Sequence, residues 1–297
     1  MLPLEAVPNV SEGRDAAAIA ELAAAFSSSA RLLDVHTDAD HHRSVFTLVG
    51  DEPGLVDGLV RGVARARELI DLRRHDGVHP RVGAADVVPL VPVRPADMER
   101  AQAAALAVAE RVGEELGLPV FLYGEVGGGR RPAFFRRGGP AELQRRVDAG
   151  ELVPDFGPTR LDPSAGAVLV GARRPLIAFN VDLRTDDVEV ARAVAAAVRE
   201  TGGGLPGVRA LGLQLPRSGR VQVSMNVEDW EAAALHAVVA RIGELAAVHG
   251  VEVGASELVG LMPAGAAAAA AGAALGVAGF DARHVLELRL LEPVDES

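Results

Sequence analysis

The segment at residues 72–92, LRRHDGVHPRVGAADVVPLVP, concentrates side chains that could move a proton. Its titratable groups in the turn and the start of the apolar run are His75, Asp76, His79, Arg81 and Asp86. Only histidine has an unperturbed pKa near neutrality, so a general base is readily formed there. A purely structural segment seldom contains so many charged groups. The turn before the apolar run is therefore a candidate catalytic segment.

A second group of such residues precedes it, and five of the eight histidines fall between His36 and His79. The residues at 31–46 that could take part are Asp34, His36, Asp38, Asp40, His41, His42 and Arg43. One interpretation is a general base with an orienting carboxylate, in which His79 is the base. Its imidazole could then be oriented by one of four acids: Asp38, Asp40, Asp76 or Asp86. The alternative is a set of solvated turn residues.

A metal site is the third interpretation, because histidine and aspartate are good ligands. His75 and His79 are four residues apart, a spacing that places two ligands on one face only within a helix. Gly77 and Pro80 disfavour a helix there. We therefore expect no bound metal.

Arginines form the other notable group. Arg130, Arg131, Arg136 and Arg137 lie in a glycine-rich loop, although the chain has a net charge of −11. Guanidinium groups bind carboxylates in a bidentate manner. The loop could therefore hold a ligand with several carboxylates, or it could simply be a solvated basic loop.

Composition restricts the class of protein. The 297 residues are 49% hydrophobic, which is enough for a core. An acidic chain argues against nucleic acid or an anionic membrane as the main partner. The absence of cysteine excludes disulfides and thiolate catalysis. The N-terminus shows no secretory signal, and the Ala/Gly run at 263–280 predicts a packed helix rather than a membrane span, so we expect a cytoplasmic protein.

The elements that must position these residues follow a repeated order. In the first half, strands are predicted at 2–7, 31–37, 43–50 and 85–93, and helices at 15–29 and 52–70. In the second half, strands are predicted at 175–183, 208–216, 219–227 and 251–260, and helices at 186–201 and 229–250. Each half reads βαββαβ, the ferredoxin-like order. Between them we expect a helix at 96–117, a strand at 119–124 and a long Gly-, Pro- and Arg-rich loop at 125–166.

The predicted fold class is therefore α+β, with two ferredoxin-like (βαββαβ) subdomains whose antiparallel or mixed sheets are covered by helices. The subdomains are predicted at residues 1–174 and 175–297.

Eight motifs then resemble one known family over nearly the whole length of the chain. They are VPNVSEG (7–13), LLDVHTDADHHRSVFTLVG (32–50), HPRVGAADVVPLVPV (79–93), PVFLYGE (119–125), PDFGP (154–158), LIAFNVDL (176–183), VQVSMNVEDWEAAALH (221–236) and VGASELVGLMP (253–263). With these motifs the chain resembles the formiminotransferase family, the glutamate formimidoyltransferases. The HPR-containing motif and PDFGP together are specific to it.

The resemblance implies transfer of a formimidoyl group between 5-formimidoyltetrahydrofolate and L-glutamate, with tetrahydrofolate as co-substrate and without a metal. It implies that His79, in the HPR motif, is the catalytic histidine. It places the folate-contacting segment on Gly157, Pro158, Thr159, Arg160, Leu161, Asp162, Pro163, Ser164, Ala165 and Gly166. It also implies a homodimer.

From the residues we expect Asp38 or Asp40 to support His79, and Arg43 and Arg81 to bind substrate carboxylates. One histidine can act as base and acid in turn, which is worth roughly a hundred- to ten-thousandfold in rate.

The chain departs from the family pattern in two places. The helical cyclodeaminase domain found in bifunctional members is missing from this sequence, so we expect any ammonia release to come from a separate cyclodeaminase protein. Some members carry an acid where this chain has His36. Three other functions remain open: formyl transfer between 5-formyltetrahydrofolate and glutamate for folate salvage, a non-catalytic folate-binding protein, and a metal-dependent hydrolase.

Overall fold

The computed structural model describes residues 2–291, and the side chains as far as residue 288. The chain divides into two compact units, of which the first ends at Arg174 and the second begins at Pro175. Each unit has one sheet with helices packed on it, which confirms the predicted α+β class.

The first unit begins with the predicted βαββαβ order and then adds further elements. In chain order they are β1 (Leu4–Ala6), β2 (Asn9–Val10), α1 (Ala16–Phe26), β3 (Arg31–Asp38), β4 (Arg43–Gly50), α2 (Glu52–Leu69), β5 (Ala85–Pro92), α3 (Met98–Glu115), β6 (Val120–Gly124), α4 (Pro132–Arg136), α5 (Gly139–Asp148) and β7 (Val168–Ala172). Short 3₁₀ turns lie at Leu72–Arg74, Pro95–Asp97 and Glu125–Gly127.

The sheet of the first unit has the order β3-β4-β1/β2-β5-β7-β6. Strands β1 and β2 act as one interrupted strand, because both pair with β4 and with β5. The first four positions are antiparallel, as a ferredoxin-like unit requires, whereas β5, β7 and β6 run parallel. The sheet is therefore mixed, within the range that the sequence predicted.

The core of the first unit lies between this sheet and helices α1, α2 and α3. Phe26 of α1 and Phe46 of β4 are fully buried, with ring centroids 5.2 Å apart. Truncating a buried phenylalanine typically costs about 3–5 kcal/mol. Helices α1 and α2 start where the sequence supplies a cap: the side chain of Asp15 accepts from two backbone amides of α1, and that of Asp51 accepts from Gly54.

The 125–166 segment differs from its description as a long loop. It contains α4 and α5, and the strand β7 that follows it was also not predicted. Glycine and proline dominate the composition, but Pro140 lies in the first turn of α5, where proline is tolerated. Leu143 and Val147, four residues apart, are buried in a separate apolar cluster with Phe135. The i, i+4 spacing of these apolar residues indicates a helix, but the high glycine and proline content of the segment favoured a loop.

The second unit repeats the ferredoxin-like order. Its elements are β8 (Ile177–Leu183), α6 (Val188–Val198), β9 (Val208–Gln214), β10 (Val221–Val227), α7 (Leu235–Val248), β11 (Val253–Val259), α8 (Ala264–Leu275) and α9 (Leu286–Leu291), with 3₁₀ turns at Glu200–Gly202 and Ala282–His284. The sheet order is β11-β8-β10-β9 and every pair is antiparallel.

The Ala/Gly run forms helix α8, which contacts α7 and buries Ala266 and Ala268. Within residues 2–291, no helix has the length and apolarity needed to cross a membrane.

Candidate active site

Two connections of the first unit meet and bring the predicted residues together. One is the turn between β3 and β4, which holds residues 39–42, and the other is the segment at 72–84 between α2 and β5. The amide of Val78 donates to the carbonyl of Asp40 at 3.4 Å. A Cβ atom at Gly77 would collide with the carbonyl oxygen of His41, so glycine is required for this close approach.

Arg81 fixes the two connections to each other. Its Nη2 donates to the carbonyl oxygens of His41 at 2.9 Å and of His79 at 2.8 Å. Its Nη1 donates to the carbonyl oxygen of His42 at 3.2 Å and to Nδ1 of His75 at 2.8 Å. The residue is 9% exposed, and burial lowers its pKa to about 10. Because protein acceptors occupy these donors, Arg81 acts first as a structural clamp.

His79 lies in the middle of this arrangement and is half-buried. Its Nε2 is 3.1 Å from Nη1 of Arg43, the first residue of β4. Burial, followed by the cationic groups of Arg43 and Arg136, holds the pKa of His79 well below 6.5. The imidazole is therefore neutral at pH 7, which is the form that a general base requires.

Asp38 contacts a different histidine from the one expected. Its Oδ2 lies 2.8 Å from Nδ1 of His41, and its Oδ1 accepts from the His41 amide at 2.8 Å. Burial alone would raise the pKa of Asp38, but the hydrogen bonds from His41 lower it to about 2. The rings of His41 and His79 have centroids 6.2 Å apart, so the histidine that Asp38 contacts is a neighbour of His79. Asp40 is 7% exposed beside the same turn.

A buried ion pair closes one side of the site. Asp86 of β5 pairs with Arg136 of α4, and its Oδ1 accepts from the amides of Val82 at 2.7 Å and of Gly83 at 3.3 Å. Arg136, one of the arginines that the sequence placed in the glycine-rich loop, thus contacts this site. Arg130 instead pairs with Asp155 at 3.7 Å.

Two further histidines of these turns contact each other and the backbone. His42 and His75 stack with ring centroids 4.1 Å apart. His42 has a positive φ of 48°, and its Nδ1 accepts from the Gly13 amide at 3.1 Å. Burial lowers the pKa of both, that of His75 to about 4, so both rings are neutral at pH 7.

The segment 157–166 adjoins the histidine turn through backbone hydrogen bonds. Leu72 donates to the carbonyl of Ser164 at 2.8 Å, and Ala84 donates to that of Ala165 at 2.8 Å. Asp162 orders the end of the segment, because its Oδ1 accepts from Ser164 and Ala165. Gly157 and Gly166 both have positive φ, and Gly157 to Arg160 are exposed. The carboxyl end of this segment therefore lies directly beside the HPR motif.

The site thus combines one neutral histidine, three guanidinium groups and a short exposed backbone segment. In the part of the chain that is described, no group of three or more His, Asp or Glu residues has the geometry to hold a metal ion. Sequence reasoning identified Arg136 only as one of four loop arginines. The available signal in the sequence was Asp86, a charged residue inside the apolar run at 85–93, because a buried carboxylate needs a cationic partner.

Comparisons with known proteins show that this fold belongs to a class of transferases. The N-terminal subdomain of the formiminotransferase domain matches residues 3–173, and the formiminotransferase domain matches residues 178–274. The chain therefore belongs to the formiminotransferase family of transferases.

Individual relatives cover the same length. The glutamate formimidoyltransferase of Streptococcus pyogenes serotype M1 is 39% identical over 97% of this chain and 98% of its own. That of Thermoplasma acidophilum is 38% identical over 97% of both chains. The formimidoyltransferase-cyclodeaminase of Gallus gallus is 40% identical over 88% of this chain, but only 50% of its own length is covered.

Proposed function

We propose that this protein transfers a formimidoyl group between N-formimidoyl-L-glutamate and tetrahydrofolate. Relatives named for this activity match it over almost the whole chain. The structural observation that carries the proposal is His79, a neutral histidine near cationic groups, on a connection that is hydrogen-bonded to segment 157–166 through Leu72 and Ala84.

The chemistry is attack of an amine on an amidine carbon. N5 of tetrahydrofolate bonds to the formimidoyl carbon and gives a tetrahedral intermediate, and the bond from that carbon to the glutamate nitrogen then breaks. His79 accepts the proton that N5 loses and donates it to the departing glutamate nitrogen, so the imidazole returns to its neutral form. No covalent intermediate on the protein and no metal is needed for this sequence.

The charges in the site suit the substrates. Glutamate and the folate tail are carboxylates, and guanidinium groups are their natural partners. We assign Arg43 and Arg136 to this role, with Arg81 holding the turns that carry His79 and His41. Asp38 and Asp40 supply the negative charge that the amidinium carbon requires.

We assign the folate ring to segment 157–166. Its exposed glycine-rich start offers backbone groups, and its end is hydrogen-bonded to Leu72 and Ala84 on either side of His79. A ring held there would lie next to the base, and holding two substrates together supplies much of the remaining rate.

The biological setting follows from the same reaction. We propose that the protein works as a homodimer in the cytoplasm during histidine breakdown, and that a separate cyclodeaminase releases ammonia from its product. Light scattering of the purified protein tests the dimer: a mass near twice 30.8 kDa supports it, and a mass near 30.8 kDa contradicts it.

The test of the activity is a transfer assay with product detection by mass spectrometry. Purified protein, tetrahydrofolate and a chelator are mixed with either N-formimidoyl-L-glutamate or N-formyl-L-glutamate. We expect rapid formation of 5-formimidoyltetrahydrofolate and much slower formation of 5-formyltetrahydrofolate. Preference for the formyl donor, or no turnover with either, would contradict the proposal.

A further inference from the structure

The hydrogen bond between Arg43 and His79 restricts where the imidazole can carry its proton. A guanidinium group has donors and no acceptor. The 3.1 Å contact from Nη1 of Arg43 therefore requires a lone pair on Nε2 of His79. A neutral imidazole with a lone pair on Nε2 carries its proton on Nδ1. In this state neither ring nitrogen can accept a further proton, because one is protonated and the other is occupied by Arg43.

Arg43 is also a cation of the site that lacks a paired carboxylate among the described residues, as Arg81 does, but the donors of Arg81 are occupied by carbonyl oxygens and by His75. Asp86 is paired with Arg136, and Asp38 is paired with His41, whereas no carboxylate within the described residues forms an ion pair with Arg43. Its Nε is buried and has no hydrogen-bond partner. Burial, followed by the charge of Arg136, lowers the pKa of Arg43 to about 9, which still leaves it charged at pH 7.

We propose that Arg43 caps the lone pair of His79 in the free protein, and that a substrate carboxylate frees this base by drawing the guanidinium away. The inference rests on the proposed function in taking that carboxylate to belong to glutamate. Arg43 is thus a positioning residue for His79 as well as a carboxylate ligand. The base becomes available only when the anionic substrate has arrived.

The pH dependence of His79 should change with this movement. The charged or titratable groups that face its ring are Arg43 from β4, Arg136 from α4, His41 from the β3–β4 turn and Arg81 from its own segment. Neutralising Arg43 with a carboxylate removes the nearest cation. The pKa of His79 should then rise towards 6.5. Because kcat/KM reports the free enzyme and kcat the complex, the acid limb of kcat should lie at higher pH than that of kcat/KM.

The direct test is nitrogen-15 NMR of the wild-type protein labelled at histidine, with the His79 signals assigned by their loss in His79→Gln. At pH 7 without ligand we expect His79 as the Nδ1–H tautomer with an unprotonated Nε2. Glutarate, a dicarboxylate without the reacting amine, should shift the Nε2 signal and raise the pKa of His79. Glutaramide, which has the same length and no charge, should do neither.

Variants separate positioning from a general loss of structure. In Arg43→Met, the pKa of His79 should rise without ligand, and glutarate should have no further effect. Arg43→Lys retains a cationic donor and should restore the low pKa. Arg31→Met, at an exposed arginine of β3, is the matched control and should leave every His79 signal unchanged.

Two results would overturn the inference. One is His79 as the Nε2–H tautomer in the free wild-type protein. The other is a His79 pKa that glutarate does not change in the wild type. Neither readout requires turnover. If the protein is inactive but shows the expected tautomer and glutarate response, the proposed function is wrong and the proposal that Arg43 caps His79 still holds.

Discussion

The two units share one strand order, yet they differ sharply in the polar groups they bury. The described buried polar residues of the first unit are Asn9, Ser11, Asp40, His41, Ser44, Thr47, Arg81, Asp86 and Arg146, and those of the second are Asn180 and Gln222. Both units contain the antiparallel strand order of a ferredoxin-like unit. Buried charge is therefore not a requirement of this fold.

Part of this difference lies in the connections, which hold Asp40, His41 and Arg81. The connection from α2 to β5 in the first unit carries His75, His79 and Arg81, whereas the equivalent connection from α7 to β11 spans only residues 249–252. A longer connection with glycine at close approaches allows charged groups to be enclosed, and the short one keeps its polar residues at the surface. The comparison teaches that a longer connection can enclose charged groups while the strand order stays the same.

The largest expected effect on stability comes from breaking the ion pair of the first unit. Asp86→Ala would leave the guanidinium of Arg136 buried without its carboxylate and remove the acceptor of two backbone amides. We expect a loss of about 3–5 kcal/mol in the free energy of unfolding, measured by urea denaturation. Glu244→Ala removes the exposed pair with Arg241 in α7 and should change it by less than about 1 kcal/mol. Equal losses of stability in the two variants would contradict the difference in buried charge between the two units.

Acid should destabilise the first unit through its neutral histidines. The folded pKa of His75 is about 4 and those of His42 and His79 are also lowered, whereas an unfolded histidine titrates near 6.5. Between pH 6.5 and 4 the unfolded chain therefore binds more protons, and stability falls as pH falls. The loss is at most about 1.4 kcal/mol per pH unit for each histidine, and less where solvent screens the charge.

Urea midpoints measured from pH 7.5 down to 4 test this. Replacement of His75 by glutamine should flatten the dependence, and replacement of the exposed His249 of the second unit should not. An unchanged slope in the His75 variant would contradict the assignment.

The smallest effects concern glycines. At Gly83, beside Asp86, a Cβ atom would collide with the carbonyl oxygen of Ala167, so Gly83→Ala should cost about 1–3 kcal/mol. At Gly243 in helix α7, the nearest atom to a Cβ is 4.0 Å away. Gly243→Ala should therefore stabilise the protein by about 0.5–1 kcal/mol. Thermal unfolding of both variants measures the two signs, and destabilisation at Gly243 would show that the helix does not tolerate the methyl group.

Most strands and helices could be predicted from the sequence. The strands have alternating apolar and polar residues or are continuously apolar, and the helices have apolar residues at helical spacing. Strand β4 was predicted with its observed bounds, Arg43–Gly50. Helices α4 and α5 were missed because they lie in a stretch rich in glycine, proline and arginine, and α4 has only five residues. Strand β7, Val168–Ala172, was missed because its apolar run has only five residues and directly follows the Gly- and Pro-rich segment.

The residue types of the site could be predicted, but not their pairings. His79 lies in a connection and Arg43 lies 36 positions away in strand β4, so no local pattern indicates that Arg43 contacts His79. The sequence equally suggested that Asp38 would support His79, whereas it contacts His41 three residues away. Which side chains meet is decided by strand register, which is set by the whole sheet.

The central claim is that the connection between α2 and β5 carries the catalytic base. The most direct test is the single-turnover rate of transfer from N-formimidoyl-L-glutamate to tetrahydrofolate in His79→Ala and in His249→Ala, its counterpart in the second unit. We predict that His79→Ala is slower by roughly a hundred- to ten-thousandfold with folate binding retained, and that His249→Ala matches the wild type. A near-normal rate in His79→Ala would contradict the account.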